Sequence, residues 1–262
     1  MRNTRSRTVL SGFTFLIGFM LLFVPGAQAT TIYVSGFNAD EIYENAGSSS
    51  ISKSVDNGSS FGWAENGFLS AVGLPSTGLI PSATGSGVTY QLQSYTGDNA
   101  LRMGNNSPAS GDVNVIDGKY SELHILATYG NGGSAGGTSD IVLHFSDAST
   151  STYSGALYSP DWYNPGAAKP GYAITGLDRV NGSSIDSGHR TAFAMYETIL
   201  SLSAADQGKI LDSITFNNVD TRGVTNIYAV DGTFVPLPGA LLLLGAGLVR
   251  LAGYARRKGT LA

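Results

Sequence analysis

The sequence predicts an all-β fold, an antiparallel β-sandwich of jelly-roll type, on three observations. Short segments alternate apolar and polar residues with the two-residue period of a half-buried strand, and Gly/Asn/Asp clusters separate them. No segment between the two ends of the chain carries an apolar 3.6-residue stripe long enough for a helix. Finally, 35 glycines and many Ser and Thr accompany only 13% charged residues, a composition of turns and strands rather than of helical bundles.

Taken in order, residues 44–60 (ENAGSSSISKSVDNGSS) are polar and predict a long loop. In GVTYQLQSY (87–95), Val88, Tyr90 and Leu92 alternate with Thr89, Gln91 and Gln93. SELHILATY (121–129) puts Leu123, Ile125, Ala127 and Tyr129 on one face and sends His124 to the opposite, solvent or rim side. GNGGSAGG (130–137) reads as a hairpin or loop, because it lacks the strand-to-helix context that gives a glycine turn a phosphate site. SDIVLHFSD (139–147) gathers Ile141, Leu143 and Phe145, again with a histidine, His144, opposite. After a turn at Asp147-Ala148, STSTYSGALY continues the pattern. Later strands are TAFAMYETILSL (191–202), KILDSITFNNV (209–219) and VTNIYAVDGTF (224–234), while SAADQGK (203–209) forms at most one helical turn.

Both ends differ in character from this middle. Arg2, Arg5 and Arg7 precede an apolar run from Val9 to Val24, and Ala27-Gln28-Ala29 has the small-x-small pattern of a signal-peptidase site. Residues 1–29 are therefore expected to be a cleaved signal helix, with the exported chain starting at Thr30. At the other end, Pro238 to Ala255 predicts a single membrane-spanning helix of about 27 Å. Arg256, Arg257 and Lys258 follow as stop-transfer charges, which places the C-terminus in the cytoplasm and residues 30–234 outside.

The tail VPLPGALLLLGAGLVRLAGYARRK resembles the PEP-CTERM sorting signal of Gram-negative bacteria: a short proline motif, a brief transmembrane helix and an arginine-rich end. The resemblance covers 235–259. It implies handling by exosortase, an integral-membrane cysteine peptidase, with recognition at Val235, Pro236, Leu237, Pro238 and Gly239. Leu237 stands where that family's motif has Glu, and Arg250 interrupts the apolar run. The resemblance further implies a transient inner-membrane anchor, sorting to the envelope, surface or matrix, and association with exopolysaccharide and biofilm. A second resemblance spans 73–232, the best-defined part of the domain. GLPSTG (73–78), TYQLQSYTGDNALRM (89–103), GKYSELHILATYGNGG (118–133), IVLHFSDAST (141–150) and SPDWYN (159–164) are similar, in order, to galactose-binding-domain-like sandwiches.

Charge and composition narrow the chemistry. Three of the 15 Lys and Arg lie in the leader and four in the tail; the remaining eight face all 19 Asp and Glu, a net charge of −11 for the middle. That balance excludes a nucleic-acid footprint. With no cysteine, thiol catalysis, cysteine-ligated zinc and iron–sulfur chemistry are excluded as well.

No G-x-S-x-G elbow accompanies the three histidines His124, His144 and His189. Asp140, Asp147 and Asp161 are the only carboxylates singled out for glycoside cleavage, and each also suits a turn. The candidate sugar-binding residues are Tyr158, Asp161, Trp162 and Tyr163, since exposed rings offer sugar C–H faces a flat apolar surface and a carboxylate bonds hydroxyls. The competing reading makes Trp162 a core plug, as for Trp63, and Asp161 a turn cap. Asp98-Asn99, Asp112, Asp117 and Asp56-Asn57-Gly58 supply hard oxygens from which a structural calcium site could be built, although without EF-hand spacing. No catalytic residue, resident metal or cofactor is assigned. The expectation is a non-enzymatic exported domain with a structural or adhesive role, with a carbohydrate-binding module and a glycan hydrolase as its rivals.

Overall fold

The computed structural model describes residues 29–32, 35–45, 49–131, 133, 136–163, 171–220 and 222–235. The expected signal segment up to Gln28, the motif positions Pro236 to Gly239, the helix over 238–255 and the charges Arg256, Arg257 and Lys258 lie outside them. Among the described residues no helix is long and apolar enough to cross a membrane.

Sixteen strands follow one another among the described residues: β1 (Ala29–Thr31), β2 (Ile42–Tyr43), β3 (Trp63–Ala64), β4 (Leu79–Pro81), β5 (Thr89–Gln91), β6 (Leu101–Gly104), β7 (Ser110–Gly118), β8 (Tyr120–Gly130), β9 (Gly137–Phe145), β10 (Thr150–Ser159), β11 (Tyr172–Thr175), β12 (Arg179–Val180), β13 (Ile185–Asp186), β14 (Ala194–Ser201), β15 (Leu211–Asn218) and β16 (Val224–Phe234). Among the described residues one α-helical turn, α1 (Ala204–Gln207), is capped by Ser203, whose Oγ accepts from Asp206 N. Two antiparallel sheets hold most of the strand residues. The first runs β1-β16-β8-β14-β11, with β6 also pairing β16; the second runs β10-β9-β15-β7.

The alternation read from the sequence closes the core between these sheets. Leu123, Ile125 and Ala127 of β8 and Ile227 and Val230 of β16 meet Ile141, Leu143 and Phe145 of β9 and Ile214 and Phe216 of β15. At about 25 cal/mol per Å² of apolar surface buried, this layer is the main driving force for pairing the sheets. The chain passes between the sheets repeatedly, most tightly from β7 to β8. From β7 to β8 only Lys119 intervenes, and Gly118 makes the corner possible, because a Cβ there would stand 2.6 Å from the Phe234 ring. Strands β8 and β9, on either side of the GNGGSAGG stretch, lie in different sheets and do not pair as a hairpin.

The first sheet has a second layer on its far side. Residues 39–100, with the returning segment 176–193, form a cap of short strands and loops over it. Leu126, Met195, Tyr228 and Ala229 of the sheet are buried there against Ile42, Val55, Trp63, Leu74, Ile80 and Tyr90. The register of β16 slips between Ile227 and Ala229, and this bulge lets Tyr228 and Ala229 both face the cap. The described residues of 44–60 form no strand, yet Val55 among them is fully buried.

Candidate functional site

The aromatic run expected to present a sugar platform is divided between core and surface. Trp162 is 0% exposed: its ring meets Trp63 edge-on at 5.0 Å and Phe193 at 5.4 Å, and its Nε1 donates to Asp56 Oδ1 at 2.9 Å. The core-plug reading of Trp162 holds and the platform reading is corrected, since no face of the indole is left for a ligand. Asp161 is buried too, accepting from Gly133 N and Tyr163 N. The Tyr163 ring packs on Phe193 at 5.1 Å and on His189 at 5.7 Å, and only Tyr158, on β10, is exposed. Trp63 is a core residue as well, its Nε1 donating to Tyr228 Oη at 3.1 Å.

His124 corrects a second expectation: it lies beneath the cap, 4% exposed, with Nδ1 2.8 Å from Glu197 Oε1. Ser82, Thr84 and Ser86 of the cap donate to the other oxygen of that carboxylate. Burial pushes the Glu197 carboxyl up, but the bonds from His124 and the three hydroxyls outweigh it and hold it at about 2. His144 sits on the outer face of the second sheet, half-buried, with Nε2 2.7 Å from Thr215 Oγ1. In neither cluster does a hydroxyl meet a histidine that is oriented by a carboxylate, the order a nucleophilic triad needs.

A further network fastens the cap. The buried Arg102 guanidinium donates to Glu41 Oε1 at 3.1 Å, to Asn226 Oδ1, and to the carbonyls of Ser54, Val55 and Asp56. Tyr228 Oη donates to Glu41 Oε2 at 2.7 Å, and Asn226 Nδ2 to the Val55 carbonyl. Burial pushes the Glu41 carboxyl well above the usual carboxylate range, with Arg102 and Tyr228 pulling against it. These partners satisfy one another and hold residues 54–56 on the sheet; the arrangement is structural.

The carboxylates and amides proposed for calcium are scattered. Asn99 Oδ1 accepts from Glu41 N, Asp56 accepts from Trp162, Asp112 accepts from Thr215, and Asp98 and Asp117 are exposed. Among the described residues no group of three or more His, Asp or Glu is placed to hold a metal ion.

What the sequence did not single out is an open cleft of about 320 Å³ in the cap. Strands β2 and β3 are parallel, with Ile42 beside Trp63 and Tyr43 beside Ala64. The next residue of each is a glutamate, so Glu44 and Glu65 enter one wall together. Each is held by one oxygen: Glu44 Oε2 accepts from Ser49 Oγ and Glu65 Oε2 from Asn45 N, both at 2.8 Å. Thr77, Gln91 and Gln93 line the cleft with hydroxyl and amide groups, and the buried Tyr95 supplies an aromatic surface. Tyr95 Oη donates to the Pro75 carbonyl at 2.7 Å, and burial, helped by Glu65, raises its pKa. Gly78 is at φ +69°, and a Cβ there would stand 2.7 Å from Gln91 Nε2, so the turn needs glycine both for its backbone and for the amide's seat. Among the described residues no Lys, Arg or His lines this cleft. The signal available in the sequence was the repeated Glu-Asn dipeptide, 44–45 and 65–66, each closing a short apolar stretch.

In comparisons with known proteins, no family model, no curated protein and no solved structure matches the chain.

Proposed function

We propose that this protein is exported, sorted by its tail, and acts without catalysis as an adhesive or structural domain of the cell envelope or extracellular matrix, in contact with exopolysaccharide. One observation carries the reading: the two ends of the domain leave from neighbouring strands. In the antiparallel pair of β1 and β16, Ala29 lies opposite Thr233 and Thr30 opposite Gly232, and Val235 N still donates to the Lys119 carbonyl at 2.8 Å. A leader ending at Ala29 and a sorting tail starting at Val235 would then join the domain at one margin, which leaves the opposite side free to face a matrix. The two stacked antiparallel sheets also support the finer jelly-roll reading that the resemblance to galactose-binding-like domains implies.

Mass spectrometry of the chain recovered from the envelope fraction tests this. The expected species begins at Thr30 and is truncated within or beyond Val235–Gly239, provided a peptidase of the exosortase type is present. Recovery from the cytoplasm with both ends intact would refute it. Deletion of 235–259 is expected to release the domain from the membrane fraction.

A further inference from the structure

We infer that the cleft walled by Glu44 and Glu65 binds a neutral, hydroxyl-rich oligosaccharide. The inference deepens the exopolysaccharide reading by naming the site and the ligand class. Its volume, about 320 Å³, lies at the lower end of the range for small-molecule sites and suits a few sugar residues rather than a folded partner.

Its chemistry is that of hydroxyl recognition. A sugar hydroxyl both donates and accepts, and so needs a wall that does the same. Glu44 and Glu65 accept only, and the hydroxyls of Thr77 and Ser94 both donate and accept. Leu92 and Tyr95, both largely buried, border the cleft and leave it only a narrow apolar edge for C–H groups of a ring. The glutamates are pre-set, because Ser49 and Asn45 fix one oxygen of each, so less side-chain freedom is lost when a ligand arrives.

Charge sets the class. Two carboxylates on one wall, with no cationic side chain lining the cleft, repel uronate, sulfate or phosphate groups.

The test uses the full-length chain purified in detergent, with calorimetric titration of galactose-, glucose- and mannose-based tri- to pentasaccharides and of galacturonate and glucosamine oligomers. At least one neutral oligosaccharide should bind saturably, with a Kd on the order of 10⁻⁴ M, and galacturonate should not. Glu65→Gln should weaken that binding about tenfold, and Ser94→Trp, which fills the cleft from an exposed position, should abolish it; both should melt with the parent. Absence of neutral binding across the panel, preference for galacturonate or glucosamine, or binding undiminished in Ser94→Trp would each overturn the assignment. Because the readout is taken on purified protein, failure of export or tail processing leaves it untouched, and a negative titration leaves the sorting reading standing.

Discussion

Between the two sheets the core is closed by Leu123, Ile125, Ile141, Leu143, Ile214 and Phe216, side chains with no polar atom to satisfy. On the other side of the same first sheet, the core beneath the cap is closed by Trp63, Trp162 and Tyr228, each of which brings an N–H or O–H that must find a partner. The first core comes from period-two alternation in long strands. The second comes from loops held at long range by Arg102, Glu41, Asn226 and Asp56. The contrast teaches that one sheet can be buried on both faces by different means: apolar area on one side, reciprocal polar satisfaction on the other.

The largest expected effect breaks the polar side. Arg102→Met leaves Glu41 buried without its guanidinium and is expected to cost about 3–5 kcal/mol. Both tryptophans of the chain lie in the cap core, so their fluorescence reports the cap, whereas far-UV circular dichroism is dominated by the sheets. In this variant the fluorescence transition should precede the dichroism transition; coincident traces would mean that the two cores unfold as one unit.

Leu143→Ala, in the inter-sheet core, is expected to cost about 3 kcal/mol through lost burial and a cavity, and to shift both traces together. Separation of the traces here would erase the contrast. Glu197→Gln comes next, at about 2 kcal/mol near neutral pH, because charge-assisted bonds from the cap become neutral ones. The Glu197 carboxyl is held down in the folded state, at about 2 against an ordinary 4.5. Its contribution is therefore fully present above pH ~4.5 and lost as pH falls toward 2. Thermal melts over that window should show a steeper acid loss in the parent than in the variant. Ile116→Thr is the smallest, within about 0.5 kcal/mol, because Ile116 is 49% exposed on β7. A larger loss would reveal that the outer face of the second sheet is covered.

Legibility followed the same division. VTNIYAVDGTF coincides with β16 and SDIVLHFSD contains most of β9, since their alternation is local. Strand β7 escaped notice because SGDVNVIDG offers only Val113 and Val115 to the core among glycine and aspartate. His124 was assigned to the solvent or rim side because periodicity along one strand cannot see a layer supplied by residues forty positions upstream. The clue was Leu126, a fully buried leucine on the face that should have been polar. Trp162 likewise depended on Trp63 and Asp56, partners about a hundred residues away, and no local pattern separates a plug from a platform. The cleft needed the parallel pairing of two-residue strands, which is too short to leave a period.

The pairing of β1 with β16 also fixes how the molecule bears tension. Ala29 and Thr233 are opposite each other at the same end of an antiparallel ladder only three residues long. Traction on the tail beyond Val235 would peel its rungs in succession, whereas strands loaded lengthwise break them all at once. The weak seam is at the point of attachment, so a modest tug can free the N-terminal strand while β16, still zipped to β8 along most of its length, keeps the body intact.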